Sequence, residues 1–200
     1  MRNIYLFLVL ACCSLVACEA SLNPDDKLDP IGDPAVVEME ALIAEQNGEF
    51  DDEELLATLY TSLFSHIEIF NRVDDSWRDT FKDGARPILG YILYENGTGS
   101  IYYGPTPGVD PEDCRYYSTY QYEYDAKSNT LTTIKGNKYE AKVLYFKDDT
   151  MILEGHLLGR YHDEYCRFIM KFSDERREEL LNSDIPSFEE WRKMEEEHNN

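Results

Sequence analysis

Between residues 87 and 172, Gly, Asn and Asp turn signals interrupt the chain roughly every 8 to 12 residues, a rhythm that leaves room for short strands and little else. Glu95-Asn96-Gly97-Thr98-Gly99 places an Asn-Gly pair between the β-rich runs 88–94 and 100–103. Asn and Gly tolerate the positive φ angles of a tight hairpin turn. Asp125-Ala126-Lys127-Ser128-Asn129, Gly136-Asn137 and Lys147-Asp148-Asp149 divide the following runs in the same manner, and residues 159–163 lead into a last run, 165–172.

Side chains at i and i+2 of a strand share a face. Tyr116, Ser118, Tyr120, Tyr122 and Tyr124 therefore oppose Thr119, Gln121 and Glu123. Tyr139, Ala141, Val143 and Tyr145 oppose Glu140 and Lys142, and Cys166, Phe168, Met170 and Phe172 oppose Arg167 and Lys171. A long meander with one dry face tends to close on itself, because closure removes edges that would recruit other chains. The expected fold is thus mainly β, an antiparallel up-and-down meander or barrel of about eight strands within residues 51–172. Thirteen of the 15 tyrosines lie in residues 87–172. Tyr91, Tyr116, Tyr120, Tyr122, Tyr139 and Tyr145 would offer flat apolar faces with hydroxyl tips, suited to an apolar, aromatic or glycan ligand. Tyrosine also simply suits half-buried strands, which is the plainer account of the same enrichment.

Residues 1–17 hold one positive charge, Arg2, and a short apolar run, the pattern of a secretory signal peptide and too short for a permanent membrane span. Leu15-Val16-Ala17-Cys18 resembles a bacterial lipobox, which implies lipid on Cys18 as the anchor to a membrane. Cys12 and Cys13 then leave with the signal, and Cys114 and Cys166 remain. Two cysteines in an exported protein are expected to pair, although two buried thiols that never meet are the alternative. Residues 18–34 are polar and Pro-rich and read as a flexible tether. Glu19 beside Cys18 resembles the lipoproteins sent onward to the outer membrane, on either its periplasmic face or the cell surface.

Asp33-Pro34 offers a cap and a first-turn proline for a short helix within residues 35–50. From Asp51 two patterns compete: Leu55, Leu56, Leu59, Leu63 and Ile67 keep helical spacing, while residues 58–70 are rich in β-branched and aromatic types. The expectation is one helical turn to about Leu56 and then a long first strand. Residues 73–86 and 104–113 read as connections. In residues 173–200, Ser173-Asp174-Glu175 starts one helix and Ser187-Phe188-Glu189-Glu190 is a capping-box start for another, with Phe188, Trp191 and Met194 as its apolar stripe.

The formal net charge is −21, and becomes −22 when Arg2 leaves with the signal. Such a chain repels phosphate backbones, which excludes nucleic acid as a partner. No Asp-x-Asp-x-Asp-Gly loop, Gly-x-Ser-x-Gly elbow or His-Glu-x-x-His helix is present. Gly97-Thr98-Gly99 precedes a strand rather than a helix, so it cannot cradle phosphate. His66, His156, His162 and His198 are dispersed, and Cys114 and Cys166 lack zinc-site spacing. No catalytic residue, metal or cofactor is assigned, and a non-enzymatic role is expected. Asn96-Gly97-Thr98 and Asp149-Thr150-Met151 match glycan-acceptor patterns, but both fall at hairpin turns where such residues occur anyway.

Leu15-Val16-Ala17-Cys18, the acidic Pro-rich tether and the Tyr-rich meander around Glu95-Asn96-Gly97-Thr98-Gly99 together resemble the small lipocalin-like lipoproteins of Bacteroidetes. The resemblance spans residues 56–172 and implies a barrel that encloses a small molecule. Where that family carries Gly-x-Trp at its first strand, this chain has Ala57-Thr58-Leu59-Tyr60. The expected role is a ligand-binding lipoprotein of the cell envelope. A module that docks another envelope protein, with no cavity, is the alternative.

Overall fold

The computed structural model describes residues 34–73, 76–79, 88–105, 114–156 and 165–198. The signal peptide and Cys18 lie outside them, as do the tether expected at 18–34, except for Pro34, which is helical, and most of the connections at 80–87, 106–113 and 157–164. Helix α1 (Pro34–Gln46) starts on its proline and stops where Asn47 and Gly48 take positive φ, 50° and 73°. Helix α2 (Asp52–Thr61) is capped by Asp51, whose carboxylate accepts from the Glu53 and Glu54 N–H groups at 2.9 and 3.1 Å. Asp52, Glu53 and Glu54 add negative charge to its first turn, where the helix dipole favours it.

The expected change to strand near Leu56 is corrected here. The helix runs on through Thr61, so Ala57-Thr58-Leu59-Tyr60 are helical. Tertiary burial decides between the two patterns: helical spacing puts Leu55 and Leu59 on one face, and both are fully buried.

Nine strands follow among the described residues: β1 (Leu63–Val73), β2 (Ser76–Asp79), β3 (Ile88–Tyr94), β4 (Thr98–Tyr103), β5 (Tyr116–Asp125), β6 (Thr130–Lys135), β7 (Asn137–Lys147), β8 (Thr150–Gly155) and β9 (Cys166–Ser173). From β3 to β9 each strand pairs antiparallel with the next. β1 pairs with β3 on one side and β9 on the other, which closes eight strands into a barrel, while β2 folds back on β1 as an extra ribbon. The tight turns expected from sequence are present, with Gly97, Asn129, Gly136 and Asp148 at positive φ.

Twenty buried side chains fill one cluster inside the barrel, among them Phe64, Tyr91, Tyr122, Val143, Phe146, Phe168 and Phe172. Two further clusters lie on its outer wall. α1 covers Phe70, Tyr145 and Ile152 with Val36 and Met39. Helix α3 (Asp174–Leu181), whose N-cap Ser173 accepts from the Arg176 N–H at 3.2 Å, brings Leu180 against Leu63, Ile92 and Tyr102. Gln46 locks the end of α1 to β7, donating to the Phe146 carbonyl at 2.6 Å and accepting from its N–H at 2.7 Å. Arg167 on β9 adds ion pairs to Glu40 of α1 and to Glu154, the latter at 2.6 Å.

Two expectations change here. The β7–β8 register shifts between Val143 and Tyr145, so Phe146 faces inward and Tyr145 lies outside beneath α1. A bulge inserts one residue and reverses the alternation beyond it. No disulfide joins Cys114 to Cys166, although both are buried. Cys114 precedes β5 and Cys166 begins β9, with β6, β7 and β8 between those strands around the barrel. A bridge needs Cα atoms roughly 4.4–6.8 Å apart.

Candidate functional site

The barrel interior has two unlike halves. Hairpins 94–98, 125–130 and 147–150 mark one end, and α2 plugs it with Leu55 and Leu59 packed into the interior cluster. Phe64 stacks on Tyr91 there at 5.2 Å between ring centres. Polar ties hold the plug and its end of the barrel: the Tyr124 hydroxyl donates to Asp52 at 2.6 Å, Asn129 donates to the Gly48 carbonyl at 3.2 Å, and Ser62 donates to Asp174.

On the wall made by β4, β5, β6 and β7, four inward positions are small: Gly99, Ser118, Thr133 and Ala141. Tyr120 lies across this wall. A Cβ placed on Gly99 would stand 2.7 Å from the Tyr120 Cζ and 2.9 Å from its hydroxyl oxygen, so the ring rests directly on the glycine. Tyr120 is only 5% exposed, and its hydroxyl has no hydrogen-bond partner among the described residues. Burial first, then Tyr103, Tyr122 and Tyr94, push its ionisation well above the ordinary tyrosine value, so it stays a neutral donor. An unmet buried hydroxyl costs about 1–3 kcal/mol, which an acceptor supplied by a ligand would offset. Its neighbours are satisfied by contrast: Tyr122 donates to the Tyr94 carbonyl at 2.6 Å and Tyr124 donates to Asp52.

The six tyrosines singled out from sequence divide into three groups. Tyr91, Tyr120, Tyr122 and Tyr139 belong to the interior cluster or pack against it. Tyr116 sits on the rim opposite the plug, where its ring meets Tyr103 at 5.0 Å and Phe188 and Trp191 of helix α4 (Phe188–His198) at 5.1 and 5.0 Å, all in tilted contacts. Tyr145 is on the outer wall and plays no part in the lumen.

Sequence reasoning also missed a break in the wall. β6 pairs only with residues 121–125 of β5, so residues 116–120 have no β6 partner. The segment before α4 fills part of that gap: Pro186 accepts from the Tyr117 N–H at 3.0 Å, and Ser187 bridges Tyr117 in parallel. Beside it opens a cleft of about 360 Å³ lined by Ser118, Thr119, Lys135, Ser187, Phe188 and Glu189, among others. Ser118 is 6% exposed and belongs to both places, since it lines this cleft and shares the inward face of Tyr120. No local sequence signal marks the break, because it follows from where β6 ends.

A second open cleft, about 590 Å³, lies outside the plugged end between the α1–α2 connection and the β7–β8 hairpin. Glu45, Glu49, Asp51, Glu54 and Asp148 surround it with Lys147 as the cation. Among the described residues no three His, Cys, Asp or Glu side chains come together to hold a metal ion. The same residues contain no helix long and apolar enough to cross a membrane. Comparison with protein-family models, with curated proteins and with solved structures finds no match for this chain.

Proposed function

We propose that this chain is a non-enzymatic, lipid-anchored lipoprotein of the outer membrane whose barrel binds a small apolar or aromatic molecule that carries a hydrogen-bond acceptor. The unpartnered hydroxyl of Tyr120 carries this reading, because a buried donor with nothing to donate to is costly unless another molecule meets it. The plug supports the same reading. It closes one end and leaves the small-residue wall of β4 to β7 facing the other. Anchoring rests on residues 1–18, where the apolar run and Leu15-Val16-Ala17-Cys18 supply export and lipidation signals. Native mass spectrometry of protein purified from its own host is expected to show a retained small molecule, and Tyr120→Phe protein is expected to lose most of it. Retention of the same mass at the same occupancy in both forms contradicts the assignment. For the anchor, Cys18→Ser is expected to move the protein from the membrane to the soluble fraction. Unchanged membrane association contradicts it.

The rival reading, a module that docks another envelope protein, draws on the exposed apolar residues Leu181, Phe188 and Met194 on and beside the C-terminal helices. Co-purification of one stoichiometric protein, lost on Met194→Glu, would favour that reading.

A further inference from the structure

The cleft in the barrel wall carries a second set of donors. Lys135 ends β6 at the break, and the cleft brings it beside Ser118 and the free stretch of β5. Along β5 the inward face then runs from Ser118 to Tyr120. Lys135, Ser118 and Tyr120 are all hydrogen-bond donors, and nothing acidic sits between them on that face. Thr119 faces the same cleft, between Tyr117, which is bridged to Ser187, and Gln121, where the β6 ladder begins. Phe188 adds an aromatic surface to the lip.

We infer that the wall cleft at Lys135 holds the carboxylate of an amphipathic monoanionic ligand whose apolar body passes Ser118 into the lumen toward Tyr120. This inference rests on the lumen reading above and adds the charge of the ligand and the way it lies. Among the described residues Lys135 forms no ion pair, in a protein with 40 acidic residues against 19 basic ones. Packing around its ammonium lowers its pKa, and no acidic neighbour offsets that effect. An incoming carboxylate would supply a countercharge to Lys135, which is exposed at the mouth of the cleft. Glu189 lies on the α4 side of the same cleft and would repel a second negative charge, which limits the ligand to one. Ser118, small and buried, is the residue that the cleft shares with the inward face of Tyr120.

The test uses two probes of equal shape, 4-phenylbutanoate and 4-phenylbutan-1-ol, with the full chain in detergent micelles, equilibrium dialysis and protein-free micelles as the blank. The acid is expected to bind about tenfold more tightly than the alcohol, a difference of about 1.4 kcal/mol. Lys135→Met should bring the acid to the level of the alcohol and leave the alcohol unchanged, while Lys135→Arg should keep the preference. Equal binding of the two probes by the unmodified protein overturns the inference but leaves the lumen reading standing. So does a preference that survives Lys135→Met. Binding of neither probe overturns both.

Discussion

At the scale of single residues the structure turns on Tyr120 and the glycine beneath it. The ring rests on Gly99 and its hydroxyl is unmet, so the unliganded protein carries a cost that Phe would not. Tyr120→Phe is therefore expected to stabilise the empty protein by about 1–3 kcal/mol. For a chain of this length that corresponds to a rise in Tm of roughly 2–4 °C per kcal/mol. A fall in Tm contradicts the account. Gly99→Ala should act in the opposite direction, since its methyl would stand 2.7 Å from the Tyr120 ring, and overpacking of this kind costs about 1–3 kcal/mol. In a Tyr120→Leu background, chemical denaturation should show part of that cost relieved, the remainder coming from Leu93, whose Cδ2 would stand 2.9 Å from the same methyl. Alternation in the sequence is enough to place Tyr120 and Tyr122 on the dry face. It fails at Tyr145, because one unpaired residue in β7 reverses the direction of those that follow, and Val143-Leu144-Tyr145 contains no glycine to mark the bulge. That Tyr120 has no partner is a fact about pairs of distant residues, and no local pattern encodes it.

At the scale of elements, α2 is the part least like its sequence expectation and the part on which the lumen depends. Residues 58–61 have strand-like composition, yet Leu55 and Leu59 gain more as a helical plug than local preference opposes. Leu59→Ala is expected to cost about 2–5 kcal/mol in chemical denaturation, whereas Leu56→Ala, at a partly buried site, should cost clearly less. Equal effects would mean that the plug does not seat as described. The C-terminal helices were far easier to read. Ser187 and Glu190 form the expected capping box, with the Ser187 N–H donating to Glu190 at 2.9 Å and the Glu190 N–H donating to the Ser187 hydroxyl at 3.3 Å. The role of that box in the wall break was not legible, because it depends on β6 ending at Lys135 before it can pair with residues 116–120 of β5.

At the scale of the whole molecule, closure of eight strands follows from turn spacing and one dry face, both visible in the chain before folding. The same closure buries tyrosines by the row, and this gives the protein a pH limit. Burial raises the pKa of Tyr102 to about 12 and pushes those of Tyr120, Tyr122 and Tyr124 up as well, the last two aided by bonds to Tyr60 and Asp52. Below pH about 10 these groups are neutral in both the folded and the unfolded chain, so their contribution is fully present. Above it the unfolded chain releases protons that the folded chain retains, and stability falls as pH rises. Unfolding at alkaline pH should therefore coincide with the ionisation of these four tyrosines. Ionisation of all the tyrosines in one step at the ordinary pKa with the fold intact would contradict this burial. The central claim, that a molecule meets Tyr120 inside the barrel, is tested most directly by a crystal structure of protein purified from its own host. The account predicts a non-protein acceptor about 2.7 Å from the Tyr120 hydroxyl. Apolar side chains packed around that hydroxyl, with no other molecule beside it, would contradict it.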